Sequence, residues 1–168
     1  MTIRRKPNVP LAPGTTAQQL MGLLMERQTM ILHAIQTQVG LRILQALVVG
    51  NEFGNPTGTP VRTGFARGSW HLGVGTLPTD EGSDEDPSGA ATMARGAAVV
   101  ATAPFALPIH YANWAPYFYY LEYGRGQHGP WSAQAPAGVV RIVVANFKKL
   151  VEDVVSEFRA AGFPVQVT

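Results

Sequence analysis

A charge-poor helical segment, residues 17–49, limits the folds open to this chain more than any other feature. Its apolar residues recur at helical spacing on one side, and further apolar residues occupy the other sides. The first set is Leu24, Ile31, Ile35, Val39 and Leu47, and the second is Met21, Met25, Met30 and Leu32. Only Glu26, Arg27 and Arg42 carry charge. A helix that is apolar on most sides must be buried on most sides, so we expect it to pack on a sheet and on a neighbouring chain.

Both ends of this segment carry helix-boundary signals. Thr15 or Thr16 can accept a hydrogen bond from a first-turn N–H, and Gly50 suits the position just after the last turn. At 1.5 Å per residue the helix would be about 50 Å long. Gly40 is a place where it could kink or divide.

A second helix is predicted near the end of the chain, at residues 139–158. Its apolar residues form one broad stripe: Val140, Val143, Val144, Phe147, Val151, Val154, Val155 and Phe158. Valine disfavours an isolated helix, so burial must stabilise this one. Pro136 suits its first turn, and Gly162 is expected to end it.

Two strands are predicted between these helices. Apolar and small residues alternate with a period of two at Ala66, Gly68, Trp70, Leu72 and Val74. The sequence Ile-His-Tyr-Ala-Asn at residues 109–113 is also typical of a strand. Residues 90–103 are rich in Ala and Val and fit either a short helix or a strand. The length of 168 residues is enough for one domain with its own core.

The composition favours a protein that assembles with other chains. Hydrophobic residues make up 46% of the chain and charged residues only 14%, against about 25% charged in average proteins. So few charges cannot coat a lone monomer, which indicates that partner chains cover some apolar surface. Cysteine is absent, so disulfides and thiolate metal sites are excluded.

The sequence contains no recognisable catalytic or metal-binding motif. His71, His110 and His128 lack a nucleophile and an orienting group in a diagnostic arrangement. His110 and His128 alone are poor evidence for a metal site. Residues 80–86 hold five acids, but their spacing differs from that of a calcium-binding loop, so we expect a solvated acidic loop. The chain is therefore predicted not to be an enzyme and to need no cofactor or metal.

Residues 109–136 hold all five tyrosines and two of the three tryptophans. Such residues are enriched in protein interfaces, where their truncation is costly. The interface candidates in this region are Trp114, Tyr117, Tyr120, Tyr123 and Trp131. Trp70 has two alternatives, the core or an exposed interface anchor. Arg62 and Glu122 are also interface candidates, and Glu122 is expected to pair with Arg62 or Arg67, within a subunit or across an interface.

Three ordered motifs resemble a known family. They are Pro-Val-Arg-Thr-Gly with Gly-Ser-Trp at residues 60–64 and 68–70, Asn-x-x-Pro-Tyr with Leu-Glu-Tyr-Gly at residues 113–124, and Gln-Ala-Pro at residues 134–136. In this order they resemble the tail-completion, or neck, proteins of long-tailed bacteriophages of the Hong-Kong-97 and lambda type. Arg62 stands where that family usually has Asp, and Phe118 where it has a small residue. The resemblance covers about residues 60–158.

The resemblance implies a fold and a role. For residues 90–103 it favours the helix. The residue patterns themselves predict an α+β fold, with a small antiparallel sheet packed by a long N-terminal and a long C-terminal helix, in a single domain at residues 15–168. The role is that of a structural virion protein at the head–tail junction, made in the bacterial cytoplasm. It would form a ring of copies that meets the connector, the tail terminator or the tail tube. A head-closure adaptor or tail terminator is a close alternative.

Residues 1–14 raise an alternative of a different class. Three prolines favour a flexible, extended arm, and Arg4, Arg5 and Lys6 form its basic cluster. These three residues are the candidates for DNA contact, so a nucleic-acid-contacting module is the alternative function. The net charge of only +2 argues against a dedicated binding groove. No apolar run approaches the roughly 18 residues of a membrane span, so no membrane partner is expected.

Overall fold

The structure of this chain is a computed structural model that describes residues 16–79, 82 and 84–165. In chain order its elements are α1 (Ala17–Val48), α2 (Phe65–Gly68), β1 (Trp70–Val74), α3 (Ala90–Thr102), β2 (Ile109–Asn113), α4 (Phe118–Tyr123), a 3-10 turn (Gly126–His128) and α5 (Val140–Ala160). The predicted α+β class is confirmed, since α1 and α5 pack on a two-stranded antiparallel sheet. The predicted arm at residues 1–14 lies outside the described residues.

Helix α1 begins and ends close to the predicted positions. The Thr16 hydroxyl accepts a hydrogen bond from the Gln19 N–H, and the Gln19 side chain accepts one from the Thr16 N–H. This reciprocal capping satisfies two N–H groups that the helix itself cannot pair. At the other end Gly50 has φ 92°, a left-handed conformation that glycine adopts without strain. Both predicted boundary signals are therefore confirmed.

Gly40 marks a close packing contact instead of a break in α1. The helix is continuous through this residue. A Cβ at Gly40 would lie 2.9 Å from Val100 Cγ1 of α3 and 3.2 Å from the Tyr111 hydroxyl of β2. Tyr111 donates that hydroxyl to the Gly40 carbonyl at 2.8 Å, and burial raises the pKa of Tyr111. The missing side chain lets α3 and the sheet approach α1.

The sheet is shorter than the sequence pattern indicated. Its register pairs Trp70 with Asn113 at one end and Val74 with Ile109 at the other. The alternation predicted a strand that also included Ala66 and Gly68, but both lie in the short helix α2. Asp84 O is so close to Gly68 that a Cβ there would clash with it. A run of small residues fits a helical turn as well as a strand, so the period of two was misleading there.

Two apolar clusters hold the long helices in place: one joins α1 and α5 to the sheet, and the other joins α1 to α5. The first has at its centre Leu44, Ala46, Leu47, Val48, Trp70, Ala135, Val139 and Val143. The second surrounds the buried Phe53 with Ile31, Ile35, Leu150, Val154, Val155 and Phe158. Helix α3, predicted as either helix or strand, is confirmed as a helix and lies between α1 and β1. The second half of α1 contributes to both clusters, which makes it the central element of the fold.

Helix α5 is confirmed, but it starts four residues after Pro136, at Val140. Pro136 therefore lies in the preceding turn and not in the first turn of the helix. The end is as predicted: Gly162 has φ 85°, and the Phe163 N–H donates to the Phe158 carbonyl at 3.0 Å. This is the pattern of a glycine-terminated helix.

The acidic segment was expected to be fully solvated, but one of its residues is buried. Asp84 and Glu85 are exposed, whereas Asp86 is buried. One Asp86 carboxylate oxygen accepts from the Thr92 N–H and hydroxyl, and the other accepts from the Ser88 hydroxyl and the Gly89 N–H. Burial alone would raise the pKa of Asp86, but these hydrogen bonds hold it below its usual value. Asp86 therefore anchors the start of α3, because a carboxylate is favourable at a helix N-terminus.

Candidate protein–protein interface

Glu122 organises the region between α4 and α5. Its carboxylate accepts hydrogen bonds from the N–H groups of Val139, Val140 and Arg141, each at 2.8 Å. The Arg141 side chain lies 3.3 Å from the carboxylate and also donates to the Glu122 carbonyl. Glu122 is only 5% exposed. It therefore fixes the first turn of α5 to α4 from inside the subunit.

This arrangement corrects the predicted partner of Glu122. Neither Arg62 nor Arg67 contacts it in an ion pair among the described residues. Arg62 is exposed, and Arg67 donates to the carbonyls of Thr57, Thr59 and Pro87. Burial lowers the pKa of Arg67, while the charge of Asp86 opposes that shift. Unpaired N–H groups at the start of a helix attract a carboxylate, and this attraction decides where Glu122 lies.

An exposed group of side chains, the aromatic corner, surrounds Glu122. It comprises Tyr119, Tyr120, Tyr123, Arg125, Trp131 and Arg141. The Tyr120 and Trp131 rings stack with centroids 5.1 Å apart, and the Arg125 guanidinium lies 4.2 Å from the Trp131 ring. Tyr119 and Tyr123 are 4.8 Å apart, and Arg141 lies 5.6 Å from the Tyr123 ring. The four rings are 40% to 65% exposed.

The aromatic corner has the composition of a protein-binding surface. Its rings hold one another in place, so little conformational freedom is lost when a partner covers them. Its two exposed charged side chains, Arg125 and Arg141, are both positive. The negative side chain of Glu122 is buried and adds no exposed charge. Trp131 already contacts both Tyr120 and Arg125, which leaves less ring surface for a nucleobase to stack on. Aromatic residues and arginine together are typical of interface hot spots.

The structure brings some predicted interface residues together and separates others. Tyr120, Tyr123 and Trp131 meet in the aromatic corner. Trp114 is exposed elsewhere, and Tyr117 is half-buried against Phe65. Trp70 takes the core alternative: it is 3% exposed, and its indole N–H donates to the Thr59 hydroxyl at 2.8 Å. The DNA-contact candidates Arg4, Arg5 and Lys6 lie outside the described residues.

The start of α1 is a second exposed surface, here called the overhang (residues 17–30). All of its residues are exposed. Its large apolar side chains, with the adjoining Leu32, are 37% to 65% exposed: Leu20, Met21, Leu23, Leu24, Met25 and Met30. The expectation that α1 packs on the body of its own chain therefore holds for its second half only. The first half lacks cover within the described chain.

A third exposed surface, here called the α5 strip, was not anticipated. Val144 and Phe147 were predicted to be buried with the rest of the α5 stripe, yet they are 67% and 47% exposed. They lie beside the half-buried Val140 and Val151. The apolar stripe is wider than the face that α1 covers. The charge-poor composition was the one available signal that some of this stripe lies open.

Comparison with known proteins leaves the family open. No family model, curated protein or solved structure matches this chain.

The polar residues of the three sequence motifs contact each other or neighbouring turns. The Gln134 side chain accepts from the Val61 N–H at 2.9 Å and donates to the Val61 carbonyl at 3.1 Å. Asn113 donates to the Ala66 carbonyl and accepts from the Ala115 N–H.

The histidines are dispersed among different elements. His33 is part-buried in α1, and its ring lies 2.9 Å from the Ala103 carbonyl. His71 is buried in β1, His110 lies in β2, and His128 is exposed in the 3-10 turn. Within the described ranges no three His, Asp or Glu side chains are placed to hold a metal. No helix of the described chain is long and apolar enough to span a membrane.

Proposed function

We propose that this chain is a structural virion subunit of a tailed bacteriophage. It acts at the head–tail junction as a tail-completion, or neck, protein, by assembling with copies of itself into a ring. Its other partners are the neighbouring connector, tail terminator or tail tube. It is made in the host cytoplasm and ends in the virion. This role needs complementary surfaces and no reaction.

The observation that carries the proposal is the amount of uncovered apolar and aromatic surface. The overhang, the α5 strip and the aromatic corner are all exposed in a chain with 14% charged residues. Monomeric proteins seldom expose apolar patches beyond a few hundred Å². A subunit that covers such surfaces by joining identical copies forms either a closed ring or an open filament. A closed ring is the form that a junction requires.

The motif contacts support the specific role. Gln134 of the third motif bridges to Val61 of the first, and Glu122 of the second fixes α5 just after the third. The motifs are thus parts of one connected framework around the aromatic corner. That is the behaviour expected if their resemblance to neck proteins reflects a shared subunit design.

The proposal is tested by restoring head–tail joining in a lysate. Phage that cannot make this chain should accumulate filled heads and free tails, and added purified protein should restore infectious particles. Infectivity that is normal without the chain, or heads and tails that join without it, would refute the proposal.

The aromatic corner is tested in the same assay. Tyr123→Ala should lower restored titre by tenfold or more, because truncation of an interface tyrosine commonly costs about 2 kcal/mol. Leu77→Ala is the matched control, since Leu77 is 65% exposed but lies outside all three surfaces. Equal titres for the two variants would mean that the aromatic corner takes no part in head–tail joining.

A further inference from the structure

The overhang extends beyond the end of α5. The two helices run antiparallel, since Arg42 of α1 pairs with Glu157 near the end of α5, and the Phe53 carbonyl after α1 accepts from Asn146 near its start. The segment that follows α5 packs near Ile31 through Phe163 and Val165. Residues 17–30 lie past this point, over about 21 Å at 1.5 Å per residue.

The overhang is apolar around more than half of its circumference. At 3.6 residues per turn, its large side chains and Leu32 cover an arc of roughly 220°, interrupted by Arg27 and Gln28. A narrower polar arc completes the circle with Gln18, Gln19, Gly22, Glu26 and Thr29. The apolar arc is a continuation of the side on which Ile31 and Ile35 meet the second core cluster. A surface that covers this arc must itself be apolar, as the face of α5 is inside the subunit.

The α5 strip offers such a face on every copy. Val140, Val144, Phe147 and Val151 follow the i, i+4, i+7, i+11 spacing of one helix side. They extend over about 17 Å at 1.5 Å per residue, close to the length of the overhang. The strip runs along the first half of α5, while the overhang leaves the subunit beyond the last turn of α5. Since α1 is continuous from Ala17 to Val48, the overhang cannot fold back onto the strip of its own chain.

We propose that the overhang of one copy packs on the α5 strip of the next copy. This inference rests on the proposed ring assembly and identifies the surfaces that form it. Each copy then gives one overhang and receives one, so the contact joins two different surfaces. Repeating a contact of this kind gives a ring when its rotation closes. A pairing of overhang with overhang would instead stop at a dimer or a bundle.

Two single variants test the contact. Leu24→Glu introduces a charge into the overhang, and Val144→Glu introduces one into the α5 strip. Both positions are exposed in the isolated subunit, so both variants should fold like the wild type by circular dichroism. Each alone should be monomeric by light scattering at concentrations where the wild type is oligomeric. Thr29→Glu and Ala145→Glu, exposed residues outside the apolar arc and the strip, are matched controls that should still assemble.

Mixing the two variants gives the decisive measurement. The Val144→Glu copy keeps its overhang and the Leu24→Glu copy keeps its strip, so one productive contact remains. The mixture should contain a 1:1 dimer of twice the monomer mass and no larger species. A Val144→Glu variant that assembles like the wild type, or a mixture that stays monomeric, would overturn the inference. Assembly of both variants would also overturn it but would leave the ring proposal standing, whereas failure of the joining assay would refute the proposed function itself.

Discussion

Replacing Glu122 tests whether this residue anchors the start of α5 or acts in an interface. Glu122→Ala removes the acceptor of three N–H groups at the start of α5. Val139 is fully buried, so its N–H cannot find water, and an unpaired buried group costs about 1–3 kcal/mol. The lost cap and the lost negative charge at the helix N-terminus add about 0.5–2 kcal/mol. We expect the free energy of unfolding to fall by about 3 kcal/mol, with Arg141 adding little because its side chain is half exposed.

Glu122→Gln refines the same test. It keeps the shape of the side chain, but one oxygen becomes an NH₂ group that faces N–H donors and cannot accept. We expect a loss of about 2 kcal/mol, from one lost hydrogen bond and the lost charge. Glu152→Gln on the same helix is the control: Glu152 is exposed and lies 3.9 Å from Lys148, so the change should stay within about 0.5 kcal/mol.

Urea unfolding followed by circular dichroism measures these differences. The protein should be diluted until light scattering gives the monomer mass, because assembly would otherwise stabilise the folded state. The Glu122→Ala loss corresponds to a melting temperature lower by about 6–12 °C for a chain of this size. A Glu122 variant that unfolds like the wild type yet no longer assembles would refute the anchoring role. It would indicate that Glu122 acts in an interface instead.

Three further predictions concern the body of the subunit. Because the folded-state pKa of Asp86 lies below its usual value, its carboxylate stabilises the fold above about pH 4 and loses this effect as pH falls through the folded pKa. Asp86→Asn should therefore be less stable than wild type at pH 7, with the gap closing toward pH 3 in urea titrations at several pH values. Gly64→Ala should cost about 2 kcal/mol in the same assay, since φ is 95° and Pro87 leaves no room for a Cβ. Trp70→Phe should cost about 2 kcal/mol, from lost core volume and the lost hydrogen bond to Thr59; a loss below 0.5 kcal/mol by thermal melting would contradict its core position.

The long helices were predictable because their signals are local. A capping threonine, a terminal glycine and a helical repeat of apolar residues all act within a few positions of the residues they affect. The extent of burial was less predictable. The stripe on α5 shows which residues are apolar, but how much of it α1 covers depends on how the two helices cross, and no local pattern records that.

The role of Glu122 could not be predicted from the sequence, for a different reason. Its partners are 17 to 19 residues away in sequence, and an arginine looked like the natural partner for an acid. One signal was present, however. Val139 precedes α5 without a serine, threonine, aspartate or asparagine to cap it, so the cap had to come from elsewhere in the chain. Gly89 at the start of α3 likewise supplies no capping side chain, and the Asp86 carboxylate provides the cap.

The anchoring of α5 by Glu122 connects the aromatic corner to the α5 strip. Tyr123 of the aromatic corner is the next residue along α4, and the α5 strip begins at Val140, whose N–H Glu122 holds. A partner that shifts α4 when it binds the corner therefore acts on the helix that carries the strip. By thermodynamic reciprocity, occupation of the strip would change the affinity of the corner by the same factor. In the proposed ring, closure and the binding of the neighbouring virion proteins would then be coupled steps, with each favouring or opposing the other through a single buried carboxylate.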